Sequence, residues 1–102
     1  MKSHTPNREE KIWMDQITQI GCIVCLKLWD LQTPAEVHHI QGKTRPGSHL
    51  MTIPLCYAHH RAGKDMGMWT SRHPNKHRFE ERYGTEAELY ELTKRKVEEQ
   101  FG

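Results

Sequence analysis

The residues of this sequence best able to do chemistry fall into pairs. Cys22 and Cys25 are separated by two residues, and so are Cys56 and His59, in the runs CIVC and CYAH. Each pair can grip one ion from a turn. Four nitrogen and sulfur donors in two such pairs match a closed tetrahedral zinc site. All three cysteines of the chain belong to this set. Their odd number argues against a closed disulfide framework, and in a reducing compartment spaced cysteines bind metal more often than each other. A structural zinc held by Cys22, Cys25, Cys56 and His59 is therefore expected.

Histidines form a second set. The run VHHI at 37–40 has strand character. Successive strand side chains point to opposite faces, so His38 and His39 should serve different neighbours. His60 directly follows the zinc ligand His59. Neighbouring helical residues diverge by about 100°, which turns His60 away from the zinc and toward one of the strand histidines. The chain has eight histidines in 102 residues. Near neutral pH an imidazole serves both as a metal ligand and as a proton acceptor.

These groups need elements to hold them. Residues 8–20 read as a helix, with Asn7 and Glu10 as a capping box and Gly21 as its stop. Trp13, Ile17 and Ile20 give that helix one apolar stripe. CIVC and the following LKLWDLQTPAE read as a tight turn and an irregular loop. VHHI is a strand, QGKTRPGSH (41–49) a loop, and MTIPL (51–55) a second strand that Pro54 confines to an edge. CYAHHRAGK (56–64) reads as a helix ended by Gly63, and DMGMWTSR (65–72) as a loop. Pro74 fits the first turn of a helix reaching Tyr83, with Gly84 as its stop. Thr85 and Glu88 form a second capping box opening a final helix over 85–100, whose apolar face is Leu89, Leu92 and Val97. The class expected is α+β, in one domain over 1–102. The chemistry lies at about 20–84 and the two long helices flank it.

The apolar fraction is 35% and the mean hydropathy is −0.86, so the core must be thin, a situation in which a metal staple helps. Net charge is +2 with histidine neutral, which suits an acidic partner. Candidate phosphate contacts are Lys43 and Arg45 in the long loop, and Arg61, Lys64, Arg72, Lys76 and Arg78 around the histidines. Trp29 and Trp69 read as packing residues. The opening MKSHTPNREE has no apolar run behind its charges, and no stretch approaches the roughly 20 apolar residues of a membrane span. The cytoplasm is the expected compartment, with no membrane partner.

Taken together, CIVC, VHHI and LCYAHH resemble the HNH endonuclease superfamily, with its small ββα-metal (His-Me finger) core. The longer runs SHLMTIPLCYAHHRAG and SRHPNKHRFEERYG resemble the phage recombination-enhancement, RecA-dependent nucleases. The likeness covers about residues 20–84. It implies a ββα-metal core with a structural zinc knuckle and flanking helices. It also implies that His38, His60 and His73 hold a catalytic divalent metal, with His39 as general base. His49 stands where that group usually has an acidic residue or a histidine, in a supporting role. The other nitrogen of His39 is expected to bond backbone in the 41–49 loop. Mg²⁺ or Mn²⁺ is the ion expected in use, while a histidine-only site also accepts Zn²⁺ or Ni²⁺. The activity implied is hydrolysis of DNA with little sequence preference. The partners implied are DNA and a RecA-type recombinase filament, in the cytoplasm of a bacterial host. The chain departs from the common pattern in lacking an asparagine between the strand pair and the helix histidine. Lys64 also stands where the toxin-type spacing would place a second histidine, so His73 must reach in from farther along the chain. The competing reading of the same residues is a zinc-knuckle nucleic-acid-binding module without catalysis.

Overall fold

A computed structural model describes residues 5–102. Residues 1–4, on which part of the signal-sequence reading falls, lie outside the described residues. The two long helices form where their caps put them. Helix α1 spans Arg8–Ile20, and both halves of the Asn7–Glu10 capping box are made. Helix α5 spans Glu86–Phe101, with the Thr85–Glu88 box equally complete. Each box satisfies two backbone donors that would otherwise lack partners.

Between them lie two small antiparallel sheets and three shorter helices. Strands β1 (Glu36–His39) and β2 (Thr52–Leu55) pair with His38 opposite Ile53 and Pro54 opposite Val37. In a two-stranded sheet each strand is an edge, so Pro54 costs no central hydrogen bond. Strand β2 does not alternate: all four of its residues are buried. Helices α1 and α5 and the short helix α2 (Ile23–Trp29) all pack on it.

Helix α2 corrects the expectation of an irregular loop after CIVC. Ile23 and Val24 are weak helix formers, yet both are fully buried with Ile53, Leu55, Phe79 and Leu89, and that burial decides the conformation. The helix ends at Asp30, whose φ of 51° is left-handed and whose amide reaches the Cys25 and Leu26 carbonyls. Helix α3 is a single turn, Tyr57–His60, shorter than the run to Gly63 suggested. The stretch read as a loop contains a hairpin, β3 (Asp65–Met66) and β4 (Trp69–Thr70). Its two-residue connection is Gly67–Met68, and Gly67 supplies the positive φ of 61° that such a turn needs. Helix α4 (Lys76–Tyr83) is capped at Asn75, so Pro74 lies before its first turn and not within it. Among the described residues no helix is long and apolar enough to cross a membrane.

Tyr83 ties this hairpin to the core. Its hydroxyl accepts from the Thr70 amide at 2.9 Å and donates to the Met68 carbonyl at 2.5 Å. Thr70 is fully buried, so its amide has no water to fall back on. Tyr83→Phe should therefore lower the urea midpoint of the protein, by a loss of ~1–3 kcal/mol at an unchanged m value. An unchanged midpoint would show that the hydroxyl contributes nothing.

Candidate functional site

Two groups of side chains that could hold a metal ion meet at α3, which supplies His59 to one and His60 to the other. In the first, Cys22, Cys25, Cys56 and His59 bring their ligand atoms within 4.8 Å of one another. His59 Nδ1 lies 3.8 Å from Cys22 Sγ, 3.7 Å from Cys25 Sγ and 3.2 Å from Cys56 Sγ, and the sulfurs of Cys25 and Cys56 are 3.9 Å apart. A tetrahedral zinc with ordinary bond lengths has edges of about 3.8 Å between sulfurs and about 3.6 Å from sulfur to nitrogen. The cluster thus fits a structural metal. His59 Nε2 donates to the Met68 carbonyl at 3.0 Å, which leaves the Nδ1 lone pair facing the three sulfurs. Trp69 stacks on the His59 ring at 4.7 Å, and Trp29 lies 5.4 Å from Trp69.

The thiols are already poised. Hydrogen bonding with Cys22 brings the Cys56 pKa down to about 4 against the opposing effect of burial, and His59 lowers it further. The Cys22 thiol is pushed up by the same hydrogen bond and by burial. Burial raises Cys25 as well. A bound cation would displace the protons of these thiols.

The second group is His38, His60 and His73, also with ligand atoms within 4.8 Å of one another. His38 comes from β1 and is buried, while His60 is half-buried on α3. His73 is delivered by backbone pairing: the Arg72 amide donates to the His59 carbonyl at 2.9 Å and the His73 amide to the His60 carbonyl at 2.8 Å. His38 Nδ1 and His60 Nε2 face each other at 3.2 Å. Their outer nitrogens meet carboxylates, His38 Nε2 with Glu86 Oε2 at 2.5 Å and His60 Nδ1 with Glu36 Oε1 at 2.8 Å. A carboxylate accepts the proton of the nitrogen that it faces, so in the neutral form of the two rings the inner nitrogens present lone pairs to one another. Two lone pairs at that distance repel, and a cation between them removes the conflict. The residues present therefore fit a second ion. Burial, followed by the electrostatic effect of the neighbouring His38, Arg72 and His60, lowers the His73 pKa. His60 is lowered by burial against the pull of Glu36. Both shifts favour the neutral form of the ring, the form that ligates.

His39 diverges from His38, as strand alternation requires, but both rings border one cavity of about 330 Å³. His39 Nε2 meets His49 Nδ1 at 2.9 Å. Its partner in the 41–49 loop is therefore a side chain and not the backbone expected.

A family model of recombination-enhancement, RecA-dependent nucleases matches residues 6–98. This chain belongs to that family. It is thereby a nuclease, an enzyme acting on nucleic acid, and its family description links it to RecA and to recombination.

Within this nuclease, the candidate phosphate contacts differ in what they are free to do. Lys43 and Arg61 line the histidine cavity, and Arg45 and Lys64 are exposed. Arg61 is bonded to Glu36 through Nε and Nη2, and its guanidinium lies over the Tyr57 ring at 5.0 Å. Arg72 is committed to Glu86 at 3.1 Å and is largely buried. Lys76 lies 3.8 Å from the same carboxylate, and Arg78 lies 3.2 Å from Asp65. Sequence reasoning missed Glu36 and Glu86 altogether. The run EVHH does place Glu36 two residues before His38 on the same strand face, which was a usable signal. Nothing local marked Glu86.

Proposed function

We propose that this nuclease hydrolyses DNA phosphodiester bonds by HNH-type, metal-dependent chemistry, with β1, β2 and α3 as a ββα-metal core. The observation that carries the reading is the convergence of His38, His60 and His73 at one wall of a cavity that His39 also borders. Cys22, Cys25, Cys56 and His59 would hold zinc as the structural staple. His38, His60 and His73 would hold a divalent ion, Mg²⁺ or Mn²⁺ in use. Bound there, that ion supplies Lewis-acid relief of charge on the phosphate and the leaving oxygen.

The chain's own residues do the rest. His39 Nε2–H donates to His49 Nδ1, which leaves His39 Nδ1 as the lone pair that takes a proton from the attacking water. His49 then supports the imidazolium by continuing to accept from it. Lys43 and Arg61 attract the phosphate from the cavity rim, a sequence-independent contact. Arg45, Lys64 and Lys76 extend that attraction along the backbone. The substrate is DNA engaged by a RecA-type filament, in the cytoplasm of a bacterial host.

Titration of the zinc-loaded protein with Mg²⁺ or Mn²⁺, with DNA cleavage as the readout, tests this reading. Cleavage should rise with ion concentration. A binding module without catalysis predicts DNA affinity but no cleavage in any divalent ion. The pH profile adds a second handle. Burial first, then repulsion from His49 and Lys43, pushes the His39 pKa down to about 4. The form able to accept a proton is the neutral one, so activity is present above that pKa and lost as pH falls through it. The acid limb of kcat/KM, which reports the free enzyme, should lie well below the ordinary imidazole value of about 6.5. An acid limb at 6.5 would place the base elsewhere or in a solvated setting.

A further inference from the structure

Glu86 opens α5 and is 3% exposed, a depth at which a carboxylate must be answered by its neighbours. Its Oε2 lies 2.5 Å from His38 Nε2 and 3.1 Å from Arg72 Nε. Its Oε1 lies 3.8 Å from Lys76 Nζ. One side chain thus grips two of the three histidine-bearing segments: β1 directly through the His38 ring, and the following segment through Arg72, whose next residue is His73. The third ring, His60, is held by Glu36 in the same manner.

We infer that Glu86 is a positioning residue that fixes the tautomer and direction of His38 and docks the His73 segment beside it, an inference that rests on the three-histidine reading of the cavity. A carboxylate that accepts from Nε2–H leaves the Nδ1 lone pair aimed at His60 Nε2, 3.2 Å away. Such outer partners of ligating histidines set ring orientation and ligand basicity. The bland alternative, an ion-pair partner for Arg72 and Lys76 alone, predicts that His38 does not notice the loss of Glu86.

The test compares the zinc-loaded full chain with Glu86→Gln and Glu86→Ala. Long-range imidazole ¹⁵N spectra, recorded without a second ion, report the His38 tautomer, and calorimetric Mn²⁺ titration reports affinity. His38 should carry its proton on Nε2 in the parent and in Glu86→Gln, whose amide oxygen still accepts. It should become a mixture of tautomers in Glu86→Ala. Mn²⁺ affinity should fall by roughly 10- to 100-fold in Glu86→Ala and by less in Glu86→Gln. The inference is overturned by an Nδ1–H tautomer in the parent, by an unaltered tautomer in Glu86→Ala, or by parental Mn²⁺ affinity in the alanine variant. Should the alanine variant not fold, a His38 that carries its proton on Nδ1 in the near-isosteric Glu86→Gln overturns it equally. A parent that binds no Mn²⁺, with a His38 tautomer that still follows Glu86, removes the three-histidine metal reading and leaves the positioning role standing.

Discussion

Cys22→Ser should leave the chain unfolded or insoluble, and without zinc. Cys22 is fully buried and packs in one cluster with Ile23, Ile53, Leu55, Phe79 and Leu89, so the four-ligand group is built into the core and is not an appendage to it. Structural zinc contributes an apparent ~10–16 kcal/mol of folding free energy in small zinc domains. Whole domains of this size are stable by only about 5–15 kcal/mol. Losing one of three thiolates therefore removes a large part of what holds the fold. The serine hydroxyl adds a buried polar group and no ligand of matching softness. The catalytic side should fail with it, because α3 carries His59 toward one metal group and His60 toward the other. Zinc content, far-UV circular dichroism and solubility measure the outcome. A well-folded, zinc-free Cys22→Ser protein would sink the staple.

His39→Ala should keep the fold and lose cleavage. The side chain is half-buried at the end of β1 and outside the apolar core. Truncation removes the 2.9 Å contact with His49 Nδ1, a cost of ~1–3 kcal/mol at most for a buried polar contact. General-base catalysis is worth about 10²- to 10⁴-fold in rate, so the activity loss should be of that size. Zinc content and Mn²⁺ affinity should match the parent, since His39 belongs to neither ligand group. That last readout separates loss of the base from loss of the ion. Full cleavage activity in His39→Ala would refute the assignment of the base.

The ends of α1 and α5 were legible because capping is local chemistry: Asn7 with Glu10, and Thr85 with Glu88, are three residues apart and need no tertiary partner. The hairpin at 65–70 was equally local, and the MGM run carried its signal, but polar and methionine-rich surroundings hid it. Helix α2 was illegible for a different reason. Its β-branched residues argue against helix, and only their burial against β2 and Phe79 overrides that preference.

The sequence by itself determined the donors. Two pairs at a two-residue spacing mark the four side chains that fit a structural metal, and the doubled histidines mark His38 and His60 of a second group, because ligand type and local spacing are properties of the chain, whereas His73 came from the family resemblance. Tertiary structure decided what those donors face. His38 meets Glu86 across 48 residues and His39 meets His49 across 10, while Arg72 is drawn inward to the same carboxylate that His38 meets. Those partnerships follow from the packing of α1, α2 and α5 on β2 and from backbone pairing of segment 72–73 with α3. Such contacts are fixed by how apolar faces bury one another over long separations, and no spacing along the chain encodes that.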